Sequence, residues 1–88
     1  MKPQLFYQIT DPGGAAARKA VIAADLLETF QFRNLFYEEV RVELEAHHRQ
    51  SGGNGAPELP ALWDGQTLHE GTEKVLAAIA ALAAAAKK

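Results

Sequence analysis

Chemistry in this chain could be done at few positions. They are Tyr7, the turn Thr10-Asp11-Pro12-Gly13-Gly14 and the adjacent His47 and His48. The turn carries no cysteine, serine or histidine. With no cysteine anywhere, disulfides, thiolate attack and thiolate-bound metals are excluded. A turn that opens a helix without a nucleophile keeps only its backbone. Its free N–H groups at the positive end of the helix dipole suit an anion or a peptide. Tyr7 is either a hydrogen-bond donor at a site or a core ring whose hydroxyl finds a local partner. His47 and His48 project about 100° apart on a helix. Glu43 lies four residues before His47 and shares its face, but a structural metal needs four ligands. No metal is expected.

These residues must be positioned by alternating elements. Leu5–Ile9 is a compact apolar run bounded by Pro3 and Asp11-Pro12-Gly13-Gly14, which predicts a buried strand. From Ala15 to about Phe30, the stripe Ala17, Val21, Ala24 and Leu27 predicts a helix. Asp11 or Thr10 would cap it, with Pro12 in the first turn. Phe32–Tyr37 is a second strand candidate. Over Glu38–Gln50, Val40, Val42 and Leu44 alternate as in a strand. Val40, Leu44 and His47 also fit a helix, which Glu43, Glu45, Ala46 and the stop Ser51-Gly52-Gly53-Asn54-Gly55 favour. Ala61-Leu62-Trp63 and Thr67-Leu68-His69 read as a hairpin about a two-residue Asp64-Gly65 turn. Gly71-Thr72 then opens a last helix with Val75, Leu76, Ile79 and Leu82 on its apolar face. Lys87 and Lys88 would complement its dipole, and its alanine-rich end from residue 83 is expected to fray.

The order strand, helix, strand, helix, hairpin, helix predicts one α/β domain over residues 1–88. Its four-stranded mixed sheet is flanked by helices, with Leu5–Ile9 central and parallel to Phe32–Tyr37. The expected core is Leu5, Tyr7, Ile9, Val21, Leu27, Phe36, Leu62, Val75 and Ile79, with Trp63 also placed inward. A net charge of −2 argues against a nucleic-acid partner. No apolar run reaches the length of a membrane span. The start Met1-Lys2-Pro3 lacks a signal-peptide pattern, so a cytoplasmic location is expected.

Three stretches together resemble the thioredoxin fold of glutaredoxins and of glutathione S-transferase N-terminal domains, over nearly the whole chain. They are Leu5-Phe6-Tyr7 with Pro12-Gly13, Glu58-Leu59-Pro60-Ala61-Leu62-Trp63-Asp64-Gly65, and Leu68-His69-Glu70-Gly71-Thr72-Glu73. The resemblance implies a βαβ(α)ββα topology and a cis peptide bond before Pro60. It places Gly14 and Ala17 where redox-active relatives carry cysteines, so dithiol exchange is not expected. It also implies a groove made by Pro12, Gly13, Gly14, Ala15, Leu59, Pro60, Thr72 and Glu73. That groove would bind a small anionic or peptide-like molecule, with glutathione as a weak ligand, or a protein partner. No other cofactor is implied. The alternative is a transferase that uses Tyr7 to assist a thiolate, which would need a second domain or an oligomer.

Overall fold

A computed structural model describes residues 2–86 of the chain. The elements are β1 (Gln4–Tyr7), α1 (Pro12–Ala23), β2 (Gln31–Asn34), α2 (Glu38–Gln50), β3 (Ala61–Trp63), β4 (Leu68–Glu70) and α3 (Thr72–Ala86). They build an α/β fold with one four-stranded mixed sheet in the order β2-β1-β3-β4. β1 runs parallel to β2, pairing Leu5 with Phe32, and antiparallel to β3, pairing Leu5 with Leu62. β3 and β4 are antiparallel, with Leu62 opposite His69.

Alternation along β1 divides the core in two, because successive strand side chains point to opposite faces. Leu5 packs with Ala17 and Val21 of α1, Val75 and Ile79 of α3, and Leu26, Phe30 and Leu62. Phe6 packs on the other face with Val40 and Leu44 of α2, and with Leu35, Ala61 and Leu68. Helices α1 and α3 therefore cover one face and α2 covers the other. Glu38–Gln50 is a helix because Val40, Leu44 and His48 form its buried stripe.

Several boundaries differ from expectation for local reasons. β1 stops at Tyr7, and Asp11 N–H closes a turn onto the Gln8 carbonyl at 3.1 Å. Ile9 is consequently 66% exposed. α1 begins at Pro12, three residues before Ala15, since the Asp11 carboxylate accepts from Gly13 N–H at 3.2 Å. It ends at Ala23, and Asp25 turns the chain at φ 59°. Leu26 then enters the core while Leu27 is 54% exposed. β2 ends at Asn34, whose side-chain oxygen accepts from Phe36 N–H at 2.9 Å. That turn buries Leu35 and leaves Phe36 76% exposed.

The hairpin turn centres on Gly65-Gln66, one residue beyond the expected Asp64-Gly65, and is closed by Asp64 N–H donating to the Thr67 carbonyl at 3.2 Å. Asp64 Oδ1 accepts from the N–H groups of Gln66 and Thr67 at 2.8 and 2.7 Å, and the return strand starts at Leu68. Tyr7 and Trp63 are half-buried. α3 continues through Ala86, and Lys87 and Lys88 lie outside the described residues.

Candidate functional site

Three segments far apart in sequence meet at Gly13. A Cβ built there would overlap Thr72 Oγ1 and stand 3.0 Å from Pro60 Cδ and 3.5 Å from Asp11 Oδ2. Only a residue without a side chain permits this approach of the α1 start, Pro60 and the α3 start. The Leu59–Pro60 peptide bond is cis. Pro60 is fully buried, and its carbonyl accepts from Gly71 N–H at 2.9 Å. Gly71 adopts φ +92°, which lets the chain turn directly from β4 into α3.

The other expected groove residues are distributed unevenly about this junction. Pro12 is exposed at the first turn and Ala15 is half-buried. Glu73 is exposed and rims a shallow cavity of about 230 Å³ with Glu58, Glu70, Thr72 and Lys74. The Leu59 side chain packs against the α2-side core. Among the described residues, no backbone group pairs with the Leu59 N–H or carbonyl.

Gly14 and Ala17 are buried, so neither stands at the mouth of α1. A Cβ on Gly14 would lie 3.1 Å from the Gln8 carbonyl oxygen and 3.2 Å from Tyr7 Cβ. The earlier helix start moves Asp11 to the mouth instead. Its carboxylate engages Gly13 N–H, its carbonyl takes Ala15 N–H at 3.2 Å, and Pro12 has no N–H. The anion-binding donors expected of this turn are thus largely used by the chain itself. The carboxylates of Glu58, Glu70 and Glu73 add negative charge around Thr72.

Tyr7 is not brought to this junction. Its ring meets Phe32 of β2 edge-on, with centroids 6.0 Å apart, and the Arg18 guanidinium sits 4.8 Å above it. Pro60 and Thr72 belong to the opposite, β3 side of β1.

A second polar cluster is not signalled by the sequence pattern, which aligns His47 with Val40 and Leu44 and otherwise treats the two histidines as metal ligands, whereas the buried stripe of α2 carries His48. His48 is 6% exposed. Its Nδ1 lies 3.0 Å from Glu70 Oε2 and its Nε2 3.3 Å from the Asn54 carbonyl. The Glu70 hydrogen bond raises the His48 pKa above the ordinary value against the cost of burial, with help from Asn54. His47 stacks on Trp63 at 4.1 Å and 17°. Burial lowers its pKa against the pull of Glu43. Glu43 itself bonds Arg33 at 2.7 Å. Asp64 lies 2.8 Å from His69 Nε2. Burial pushes its carboxyl up, but His69 and the amides of Thr67 and Gln66 outweigh this and hold it below the usual range. Among the described residues, no group of three or more such side chains could hold a metal ion. No helix among them is long and apolar enough to cross a membrane.

Compared with protein-family models, curated proteins and solved structures, the chain finds no significant match in any of the three.

Proposed function

We propose that this chain is a thioredoxin-like domain without redox chemistry, whose Leu59–Pro60 segment receives an extended peptide-like ligand or a strand of a protein partner. The observation that carries this reading is the free N–H and carbonyl of Leu59 beside the Gly13–Pro60–Thr72 junction. An extended backbone can pair with these groups by strand addition. The sheet order β2-β1-β3-β4 and the cis bond before Pro60 support the fold assignment. The acidic surroundings of Thr72 favour a neutral or amine-bearing ligand, so glutathione, with its carboxylates, would bind weakly. With no thiol to trap a ligand, affinity is expected near −5 kcal/mol, roughly the high-micromolar range. The transferase alternative needs Tyr7 at the ligand, and its ring lies between Phe32 and Arg18 instead.

Titration of the ¹⁵N-labelled protein with glutathione and with a short neutral extended peptide tests the reading. Amide shifts at Gly13, Leu59 and Thr72 are expected with the peptide, larger than with glutathione. Absence of shifts with either at millimolar concentration overturns it. Glutathione conjugation that disappears in Tyr7→Phe would establish the transferase instead.

A further inference from the structure

The connection from α2 to β3 is rich in glycine, and its attachments are few. Gly52 and Gly53 donate N–H groups to the Arg49 and His48 carbonyls at 3.0 and 2.9 Å, which only finish the helix. Beyond them, the side chains that hold the loop are His48 and Glu70. His48 Nε2 meets the Asn54 carbonyl, and Glu70 Oε1 accepts from Glu58 N–H at 2.9 Å. Gly53 lies flat on the imidazole, since a Cβ there would come within 2.5 Å of His48 Nδ1 and Nε2.

Both ring nitrogens of His48 therefore face acceptors, a carboxylate on one side and a carbonyl on the other. Neutral imidazole carries one N–H and can donate to only one of them, whereas imidazolium donates to both. The charged groups about the ring are Glu70 from β4, and Glu45 and Arg49 from α2 itself, which line the adjoining cavity with Gly53, Asn54 and Gly55. Glu58 of the loop directs its carboxylate toward Gly71.

We propose that His48 is a proton-operated clamp that, as imidazolium, bridges Glu70 and the Asn54 carbonyl and holds the 51–58 loop against α2 and β4. Deprotonation removes one of the two contacts and loosens the loop. Ala56 and Pro57 of that loop wall an apolar cavity of about 160 Å³ with Leu35, Leu44 and Leu59. The proton thus controls part of the wall of a cavity that Leu59 also lines. The clamp stands on its own geometry and does not depend on any ligand being bound there.

A pH titration by NMR without ligand tests this. His48 is expected to titrate above the ordinary histidine value of 6.5. The amides of Gly53, Asn54, Gly55 and Ala56 should shift with the same midpoint. The hydrogen-exchange protection of Gly53 and Glu58, whose N–H groups are bonded to the His48 carbonyl and to Glu70 Oε1, should fall about fivefold to tenfold above it once corrected for intrinsic rates, the weight of one hydrogen bond. Glu70→Gln keeps the side-chain shape but removes the charge, and should move both midpoints together to lower pH. His48→Gln should abolish the pH step in the loop. A His48 midpoint at or below 6.5 overturns the clamp, as do loop amides indifferent to it or a loop transition unmoved by Glu70→Gln. Because no ligand is present, failure of the peptide-binding reading would leave these results unchanged.

Discussion

The two faces of the sheet are built differently. On the α1–α3 face, Leu5, Ala17, Val21, Leu26, Phe30, Leu62, Val75 and Ile79 form an apolar cluster with no titratable member. On the α2 face, Phe6, Leu35, Val40, Leu44, Ala61 and Leu68 form a smaller cluster. It is bordered by the His47–Trp63 stack, the His48–Glu70 pair and the Arg33–Glu43 bridge. The face covered by two helices has a core closed by packing, with one polar pair at its margin, His69 with Asp64 beside Ala78 and Leu82 of α3. A face covered by one helix is fastened along its margins by polar contacts. The first should be sensitive to volume, the second to volume and pH.

The largest effect expected to separate the faces is that of Phe6→Ala. Phe6 is the largest fully buried side chain and sits at the centre of the α2 cluster. Its truncation should cost about 3–5 kcal/mol, which approaches the whole stability of a small domain. Ile79→Val on the opposite face should cost only about 0.5–1.5 kcal/mol, by the same amount at every pH. Urea unfolding at several pH values measures both. A Phe6→Ala protein as stable as the parent would show that α2 contributes little to the core.

The junction gives the next effect. Gly13→Ala places a Cβ on Thr72 Oγ1 and against Pro60. Overpacking of this kind costs about 1–3 kcal/mol. Thr72→Ala in the same chain removes the obstructing hydroxyl and should restore part of the loss, because residues in contact are not additive. If the double variant loses the sum of the single losses, Gly13 and Thr72 do not press on one another. A smaller effect is expected from Asp11→Ala, which removes the α1 N-cap and should cost about 1 kcal/mol.

The sequence carried the elements better than their edges. Leu5-Phe6-Tyr7 announces β1, and Glu43, Ala46 and the glycine stop identify α2 against the competing alternation of Val40, Val42 and Leu44. The resemblance supplied the cis bond before Pro60. Edges were set by turn geometry that periodicity does not encode. Asp25 at φ 59° decides that Leu26 is inside and Leu27 outside. Asn34, accepting from Phe36 N–H, makes the same choice between Leu35 and Phe36. At α1 the capping signal Asp11-Pro12 is present in the sequence, but the alanine stripe from Ala15 places the helix start three residues late. Of the candidate site, the meeting of Gly13, Pro60 and Thr72 followed from family resemblance. His48 and Glu70 lie 22 residues apart, and no local pattern links them.

The smallest and sharpest test uses the two adjacent histidines. His47 is lowered by burial, so it binds a proton less readily folded than unfolded. Its contribution to stability is complete above 6.5 and is lost as pH falls through its lowered folded pKa. His48 is raised by Glu70, so its contribution is complete below 6.5 and is lost as pH rises through its raised folded pKa. Together they give a stability profile with a maximum near pH 6.5, an acid limb from His47 and an alkaline limb from His48. Asp64, held below the usual carboxylate range, adds a separate loss only as pH falls below about 3.8. Thermal unfolding across pH 4.5–8.5 reads these limbs as slopes of Tm, so any uniform loss from a substitution does not obscure them. His47→Gln should flatten the acid limb and leave the alkaline one. His48→Gln should do the reverse, and Ile79→Val should lower the profile without changing its shape. Should His48→Gln leave the alkaline limb intact, the polar fastening of the α2 face would not titrate through His48, and the contrast between the two faces would reduce to packing alone.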